Sequence, residues 1–272
     1  MKVIFVTDLH GDKWKYERLL KVAKSTKANL VINGGDMLPT EGDLFKQGEF
    51  ITTYLESHFS QFESAGIYYL CCLGNDDLRI FDELFEKTCK KFSFVIPLAQ
   101  QKFEIDNYEF IGFNLIVDYP FRLKDRCRQD THGSMFRKQH GTGLLSSQDG
   151  WQEIDDWFSY VNSLPTIADE LNNLVIPNNM VNCVYAIHMP PYRLGLDKCN
   201  NGRNVGSKAV YDFLMKNQPK FALHGHIHES PEVSGHWYAK LGNTICVQPG
   251  QLDKFTYVII DLSTMKINRI NL

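Results

Sequence analysis

The chain of 272 residues is 43% hydrophobic and 22% charged, a balance that fits a globular protein with a sizeable core and excludes disorder for its bulk. Lys and Arg number 29 against 32 Asp and Glu, a net charge of −3, so no global basic field draws in nucleic acid. No apolar run reaches the roughly 20 residues that span a bilayer, and the seven cysteines form neither a disulfide framework nor a CxxC metal site, which points to reduced, buried thiols in a cytoplasmic protein.

The chain opens in a strand-like run, Lys2-Val3-Ile4-Phe5-Val6, too short and wrongly flanked for a secretory signal. Short apolar, β-branched runs at 2–7, 28–33, 66–73, 108–118, 181–187, 220–224 and 255–261 predict strands. Helical spacing marks 13–24, 47–64, 78–90, 150–174 and 206–216. Strands alternating with helices argue for βαβ units and a sheet covered on both faces. Residues 220–272 carry strand-like runs broken by Gly, Pro and Asn with no clear helix, which predicts antiparallel pairing there. No repeat or low-complexity linker interrupts the pattern, and the expected fold is a layered α/β protein with a mixed sheet.

Residues 119–150 follow neither period. Between Phe121 and His140 lie Arg122, Lys124, Arg126, Arg128, Arg137 and Lys138 against only Asp125 and Asp130, a basic island in an acidic chain. Long irregular insertions in compact domains are usually functional or disordered; a solvated surface excursion is the plain alternative.

The polar residues of interest stand where apolar runs stop. The first run ends in Thr7-Asp8-Leu9-His10-Gly11, the second in Asn33-Gly34-Gly35-Asp36, the third in Leu73-Gly74-Asn75-Asp76-Asp77. Run 181–187 ends in His188-Met189-Pro190-Pro191, and 220–224 leads into Gly225-His226-Ile227-His228. In open α/β sheets ligands bind outside the carboxyl ends of the strands, so these residues converge on one edge. Carboxylate, imidazole and amide oxygen without thiolate suit Mn, Fe, Zn or Ni. Asp8, His10, Asp36, Asn75, His188, His226 and His228 are too many ligands for one tetrahedral ion and about right for two ions sharing a carboxylate. The i, i+2 spacing of Asp8/His10 and His226/His228 puts each pair on one side of an extended segment. Gly34-Gly35 and Gly74 allow the tight turns such a site needs. Asp76-Asp77 also fits a helix cap before Leu78.

This set, Asp8-x-His10, Gly34-Gly35-Asp36, Gly74-Asn75-Asp76-Asp77, His188 and Gly225-His226-x-His228, resembles the calcineurin-like metallophosphoesterase superfamily over residues 3 to about 250. The resemblance implies a single metallophosphoesterase domain over 1–272, a four-layered α/β/β/α sandwich, with 119–150 as a basic lid-like insertion. It implies two divalent metal ions (Mn, Fe, Zn or Ni), one held by Asp8, His10, Asp36 and His228, the other by Asp36, Asn75, His188 and His226, with Asp36 bridging. It also implies a phosphatase or phosphodiesterase whose nucleophile is a metal-bridging hydroxide. The third block departs from the pattern: the family's usual Gly-Asn-His plus an acidic residue reads Gly74-Asn75-Asp76-Asp77, and the missing histidine is the one usually assigned to the leaving-group proton. Asn75 and Asp76 are the catalytic candidates of this block.

Two cations would favour the ionised form of Asp76, making it a poor acid. Either the leaving group is intrinsically good (aryl or phosphoanhydride), or a lid histidine, His132 or His140, supplies the proton. Arg122 and Arg126, beyond Asp118-Tyr119-Pro120-Phe121, are the candidates to hold a substrate phosphate. His224 reads as structural, or as the partner a metal-bound histidine needs for its other nitrogen. The expected partner is a small-molecule or nucleotide phosphoester, with no membrane contact. A catalytically weak metal-binding scaffold of the same fold is the alternative, against which the complete ligand set stands. A nuclease is disfavoured by the acidic balance and the shortness of the basic stretch.

Overall fold

A computed structural model describes residues 1–272. Two six-stranded sheets face each other. The first joins β1 (Lys2–Val6), β2 (Leu30–Asn33), β3 (Tyr68–Cys71) and β4 (Val95–Pro97), all parallel, to the C-terminal hairpin β15 (Thr256–Asp261) and β16 (Lys266–Asn271), in the order β16-β15-β1-β2-β3-β4. The second holds β5 (Lys102–Ile105), β6 (Tyr108–Phe113), β11 (Cys183–Ile187), β12 (Phe221–Leu223), β13 (Tyr238–Leu241) and β14 (Thr244–Val247), in the order β13-β14-β12-β11-β6-β5. Its four inner strands are parallel and its two edges antiparallel.

The period of two explains the layering. In β1, Val3 and Phe5 pack towards the other sheet against Val184, Phe221 and Leu223, while Ile4 and Val6 face the helices. A strand buried on both faces has no polar side, hence the unbroken apolar run. Each such side chain contributes about 1.5–3 kcal/mol on burial. Outside the first sheet lie α1 (Lys13–Ser25), a three-part helix of α2 (Gln47–Phe50), a π-helical segment (Ile51–Leu55) and α3 (Glu56–Ala65), and then α4 (Asp82–Cys89). They press Tyr16, Leu19, Phe59, Phe62 and Phe85 onto Ile4, Val31 and Tyr69. Asp12 starts α1 by accepting from the Trp14 and Lys15 amides. Outside the second sheet, Ile167 and Leu171 of α6 (Ile167–Asn172) and Val210 and Leu214 of α7 (Lys208–Asn217) cover Ile111, Tyr185 and Ala222. The result is the expected α/β/β/α sandwich with mixed sheets.

Three expectations change. Residues 150–174 are not one helix: β9 (Gly143–Ser147) pairs with β10 (Gly150–Ile154) as a hairpin, and then α5 (Trp157–Asn162) and α6 are separated by Pro165. The C-terminal third is not purely antiparallel, because β12 pairs parallel with both β11 and β14, and α8 (Ser230–Ser234) forms one turn with a proline in its first positions. The strand expected at 108–118 stops at Phe113, and β7 (Ile116–Val117) instead pairs with β8 (Cys127–Arg128). All seven cysteines are free, and all but Cys199 are buried.

The 119–150 segment uses its charges as internal anchors. Lys124, only 1% exposed, sets its ammonium 2.7 Å from Asp118, which also accepts from Trp157 Nε1 and Gln139 Nε2 at 2.9 Å each. Asp125 accepts from the Arg79 amide at 2.9 Å and from Ser146 N and Oγ at 2.8 and 2.6 Å. Arg128 lies 3.5 Å from Glu170, and Asp130 accepts from Ser207 Oγ and the Lys208 amide at the start of α7. Buried charges persist only when paired, so residues 124–130 are stitched to the body, while Arg122, Arg137 and Lys138 stay exposed.

Candidate metal centre

Each candidate ligand sits just past the carboxyl end of a parallel strand: Asp8 and His10 after β1, Asp36 after β2, Asn75 after β3, His188 after β11, His226 and His228 after β12. Left-handed backbone turns them inward. Asp8, His10, Asp36 and His226 have φ of 57°, 45°, 50° and 69°, a conformation that side-chain-bearing residues rarely adopt and that clusters at functional sites. Glycine makes room beside them. A Cβ on Gly74 would lie 2.2 Å from Asp36 Oδ1, and one on Gly225 would lie 2.1 Å from Thr7 Oγ1 and 2.8 Å from Asp8 Oδ2.

The donor atoms fall into two groups that share Asp36: Asp8, His10, Asp36 and His228, and Asp36, His188 and His226, with all ligand atoms in each group within 4.8 Å of one another. Asn75 Oδ1 joins the second group, 3.0 Å from His188 Nε2 and 2.6 Å from His226 Nδ1. His10 Nε2 and His228 Nε2 face each other at 3.1 Å, and His188 Nε2 lies 3.2 Å from Asp36 Oδ2. His188 Nδ1 lies 3.0 Å from the Gly34 carbonyl, which can only accept, so Nδ1 carries a proton and the neutral ring would present its Nε2 lone pair to the cluster. Asp8 Oδ2 is buried with no hydrogen-bond partner. Converging lone pairs and an orphaned carboxylate oxygen, with no thiolate, are what two divalent cations would satisfy. The residues fit such a pair of ions.

Electrostatics in the bare protein follow the same geometry. Burial would raise both Asp8 and Asp36, but His228 beside Asp8 and His188 beside Asp36 more than offset it and hold both carboxyls below their ordinary value. Burial opposes the charge on His188 and His228, yet Asp36 and Asp8 lift each to about 9. Burial, reinforced by His188, pushes His226 down to about 3. Burial, reinforced by Asp36 and Asp77, pushes Asp76 up to about 8; a cation in the cleft acts in the opposite direction.

Asp76 faces the cleft. Its amide donates to Asp36 Oδ1 at 2.8 Å, Asn75 Nδ2 donates to its Oδ1 at 2.8 Å, and its Oδ2 lies 4.0 Å from His10 Nδ1. Asp77 caps no helix. It is fully buried and accepts from three backbone amides, Met37 at 2.9 Å, Leu38 at 2.7 Å and Gly74 at 2.7 Å. It thus staples the loop carrying Asp36 to the loop carrying Asn75. His224 Nδ1 donates to the Ile187 and Met189 carbonyls at 2.9 and 3.1 Å, bracing the backbone on either side of His188.

The two arginines expected to hold phosphate lie elsewhere. Arg126, 4% exposed, points behind the third loop, with Nε donating to the Gly74 carbonyl at 2.7 Å and the guanidinium paired with Asp82 at 2.5 Å. Arg122 donates to the Thr142 carbonyl and to Glu153, both at 3.1 Å, outside the cleft wall. A carboxylate beside the third loop claims one guanidinium, and the β9–β10 hairpin claims the other. Of the two lid histidines, His140 lines the cleft, whereas His132 is exposed and 3.1 Å from Asp169. Arg137 and Lys138, counted in the basic island but given no site role, line the cleft walls, as do Arg193 and Arg203, which sequence reasoning missed.

The family model of the calcineurin-like phosphoesterases matches residues 1–230. Comparison with curated proteins gives no match. Among solved structures, one crystal structure aligns with a TM-score of 0.65 at 18% identity, covering 99% of this chain and 98% of its own. The protein TT1561 of Thermus thermophilus aligns at 0.60 with 15% identity over the same shares. A dimetal phosphatase from Danio rerio aligns at 0.50 with 7% identity, over 100% of this chain and 98% of its own. These likenesses concern the fold. No helix is long and apolar enough to cross a membrane. With the family pattern spanning most of its length, the chain belongs to the calcineurin-like phosphoesterases.

Proposed function

We propose that the chain hydrolyses phosphoesters at a dinuclear metal centre held by Asp8, His10, Asp36 and His228 on one side and Asp36, Asn75, His188 and His226 on the other. The carrying observation is the pair of donor groups sharing Asp36 at the floor of an open cleft. When bound, two divalent cations supply Lewis-acid activation of water and of the phosphoryl oxygens. The protein's own part is to fix the donors: the Gly34 carbonyl sets the His188 tautomer, Asp77 locks two ligand loops together, and the His226 amide donates to Asp8 Oδ1 at 3.0 Å. Asn75 orients Asp76 on the cleft floor. His140, which lines the cleft, is our candidate to give a proton to a poor leaving group, since two bound cations would hold Asp76 ionised. Free, mostly buried thiols fit a reducing compartment such as the cytoplasm.

The test is Mn²⁺-dependent hydrolysis of p-nitrophenyl phosphate beside its bis ester, with Asp36→Asn as control. Turnover of either ester that disappears in the variant supports the reading, and the faster ester assigns monoesterase or diesterase. Two bound metal ions with neither ester cleaved would overturn it in favour of a metal-binding scaffold, with Asp76 in the histidine's place as the cause.

A further inference from the structure

The cleft encloses about 1460 Å³, whereas drug-sized ligands fill pockets of roughly 300–1,000 Å³. A phosphoryl group on the metal donors and a small leaving group leave much of that space empty. Besides the donors, the walls carry four cationic side chains, Arg137 and Lys138 in the 119–150 segment and Arg193 and Arg203 on the loop after Pro191. All four are exposed, and none has an ion-pair partner, in contrast to Arg122, Lys124, Arg126 and Arg128, each of which has one. Two carboxylates of the same lining, Asp118 and Glu229, have other partners. Asp118 is held by Lys124, Trp157 and Gln139, and Glu229 accepts from the Asn200 amide at 3.1 Å.

Both cationic walls are held in place. On the lid, Gln139 Nε2 donates to Asp118 at 2.9 Å and to the Arg137 carbonyl at 3.0 Å, while the His140 amide donates to the Pro120 carbonyl at 2.8 Å. On the other side, buried Asp197 accepts from the Arg193 and Gly206 amides at 3.1 and 3.0 Å, and the Cys199 amide donates to the Arg203 carbonyl at 3.0 Å. These bonds fix the backbone that carries the four cations, so less loop freedom is lost when the side chains meet a phosphate. Beside the lid cations, Phe121 is 58% exposed with its ring 5.6 Å from His140 and 5.3 Å from Tyr119, which in turn lies 6.0 Å from His226. An aromatic step therefore leads from the donor cluster outward, a surface on which a flat ring stacks.

We infer that the outer half of the cleft is a second anion site, formed across its mouth by Arg137 and Lys138 on one side and Arg193 and Arg203 on the other. The substrate is then a phosphoester bearing a second phosphoryl group, with an aromatic ring such as a nucleobase against Phe121. This rests on the hydrolase reading for its kinetic arm but not for its binding arm. The four cations sit in a bounded cleft of a net acidic protein, which favours a small bisphosphate over a nucleic-acid strand.

The kinetic arm compares thymidine 5′-(p-nitrophenyl phosphate) with its 3′-phosphorylated form on the Mn²⁺-loaded protein. Both have the same scissile bond and leaving group. The 3′-phosphate should raise kcat/KM at least tenfold, through KM. That ratio should collapse towards one in Arg137→Glu/Lys138→Glu and in Arg193→Glu/Arg203→Glu, and raised salt should shrink it in the wild type. The binding arm titrates inorganic pyrophosphate into chelator-treated protein by calorimetry, expecting affinity at least tenfold weaker in either double variant. Pyrophosphate binding without turnover of any ester sinks the hydrolase reading and leaves the anion site standing. Turnover with a substrate ratio of one and no difference in pyrophosphate binding sinks the anion site alone. Competition by a single-stranded oligonucleotide tighter than by the bisphosphate would also overturn it, in favour of a nucleic-acid substrate.

Discussion

Asp77→Asn isolates the staple beneath the metal centre. In the native protein one carboxylate oxygen accepts from the Met37 and Gly74 amides and the other from Leu38, all between 2.7 and 2.9 Å and all buried. Asparagine keeps the shape but has one acceptor oxygen. With that oxygen at the two-amide position, its NH₂ group faces the Leu38 N–H, donor against donor. The variant loses one hydrogen bond to a charged acceptor, about 1.5–3 kcal/mol, and leaves a buried donor unsatisfied at about 1–3 kcal/mol more. The local loss is about 2.5–6 kcal/mol, a large share of a stability that typically lies near 5–15 kcal/mol. Burial and Asp36 push the Asp77 carboxyl up to about 7 while its three amides hold it down, so at pH 8, where the carboxylate is the acceptor, folding buries a charge that the neutral asparagine does not carry; that relief offsets up to about 4 kcal/mol of the local loss and leaves a net loss of about 1–2 kcal/mol. Urea unfolding of chelator-treated protein at pH 8 measures the effect as a shift in midpoint at unchanged slope. A shift equivalent to less than about 1 kcal/mol would show that the two ligand loops hold their places without Asp77.

Other consequences are equally accessible. His58 is buried among Tyr16, Tyr54, Phe62 and Tyr69, its Nε2 has no partner, and burial pushes it down to about 3. Its folded value lies below the unfolded one, so stability is full above pH 6.5 and is lost as pH falls towards 3, by about 4–5 kcal/mol in total. His58→Phe should flatten acid denaturation across that window, and an unchanged pH profile would contradict the assignment. Gly74→Ala sets a Cβ 2.2 Å from Asp36 Oδ1 and 2.3 Å from its amide; bound metal should fall below one ion per chain by elemental analysis, and two ions retained would refute the close-approach argument. His140→Ala should slow alkyl phosphate turnover by roughly 10²-fold or more while sparing p-nitrophenyl esters, whereas His132→Ala leaves both unchanged; equal losses on the two ester types would remove His140 as the proton source.

The donor set is legible in the sequence because each member follows a strand buried on both faces. An apolar run that ends in Asp-x-His or Gly-Asn locates the sheet edge without tertiary knowledge. Layering is legible for the same reason, through Val3-Ile4-Phe5-Val6 and Cys183-Val184-Tyr185-Ala186-Ile187. Side-chain direction in the insertion is not. Whether Arg126 points into the cleft or behind it depends on Asp82, 44 residues away, and no local pattern encodes that choice. The parallel pairing of β14 with β12 is hidden likewise, since three- and four-residue strands carry no orientation signal. The hairpin at 143–154 mimics a helix in sequence because Trp151, Ile154, Trp157 and Val161 happen to repeat at three to four residues, while Gln148-Asp149 forms the two-residue turn, followed by Gly150 at a φ of 108°.

The inward charges of the 122–138 stretch bear on how the folded chain meets a protease. Trypsin reads Lys and Arg, and this stretch offers it six, yet Lys124, Arg126 and Arg128 are buried and held by Asp118, Asp82 and Glu170. Cleavage requires the local backbone to open into an extended form, and around those three residues that means breaking ion pairs to the body. Arg122 is exposed but tied to Thr142 and Glu153, so Arg137 and Lys138, in an exposed irregular stretch with no ion-pair partner, are left as the most accessible bonds. Limited digestion should nick the lid after them and leave two fragments associated through the sheets, so the segment that looks most susceptible in composition survives except at the residues that face the cleft.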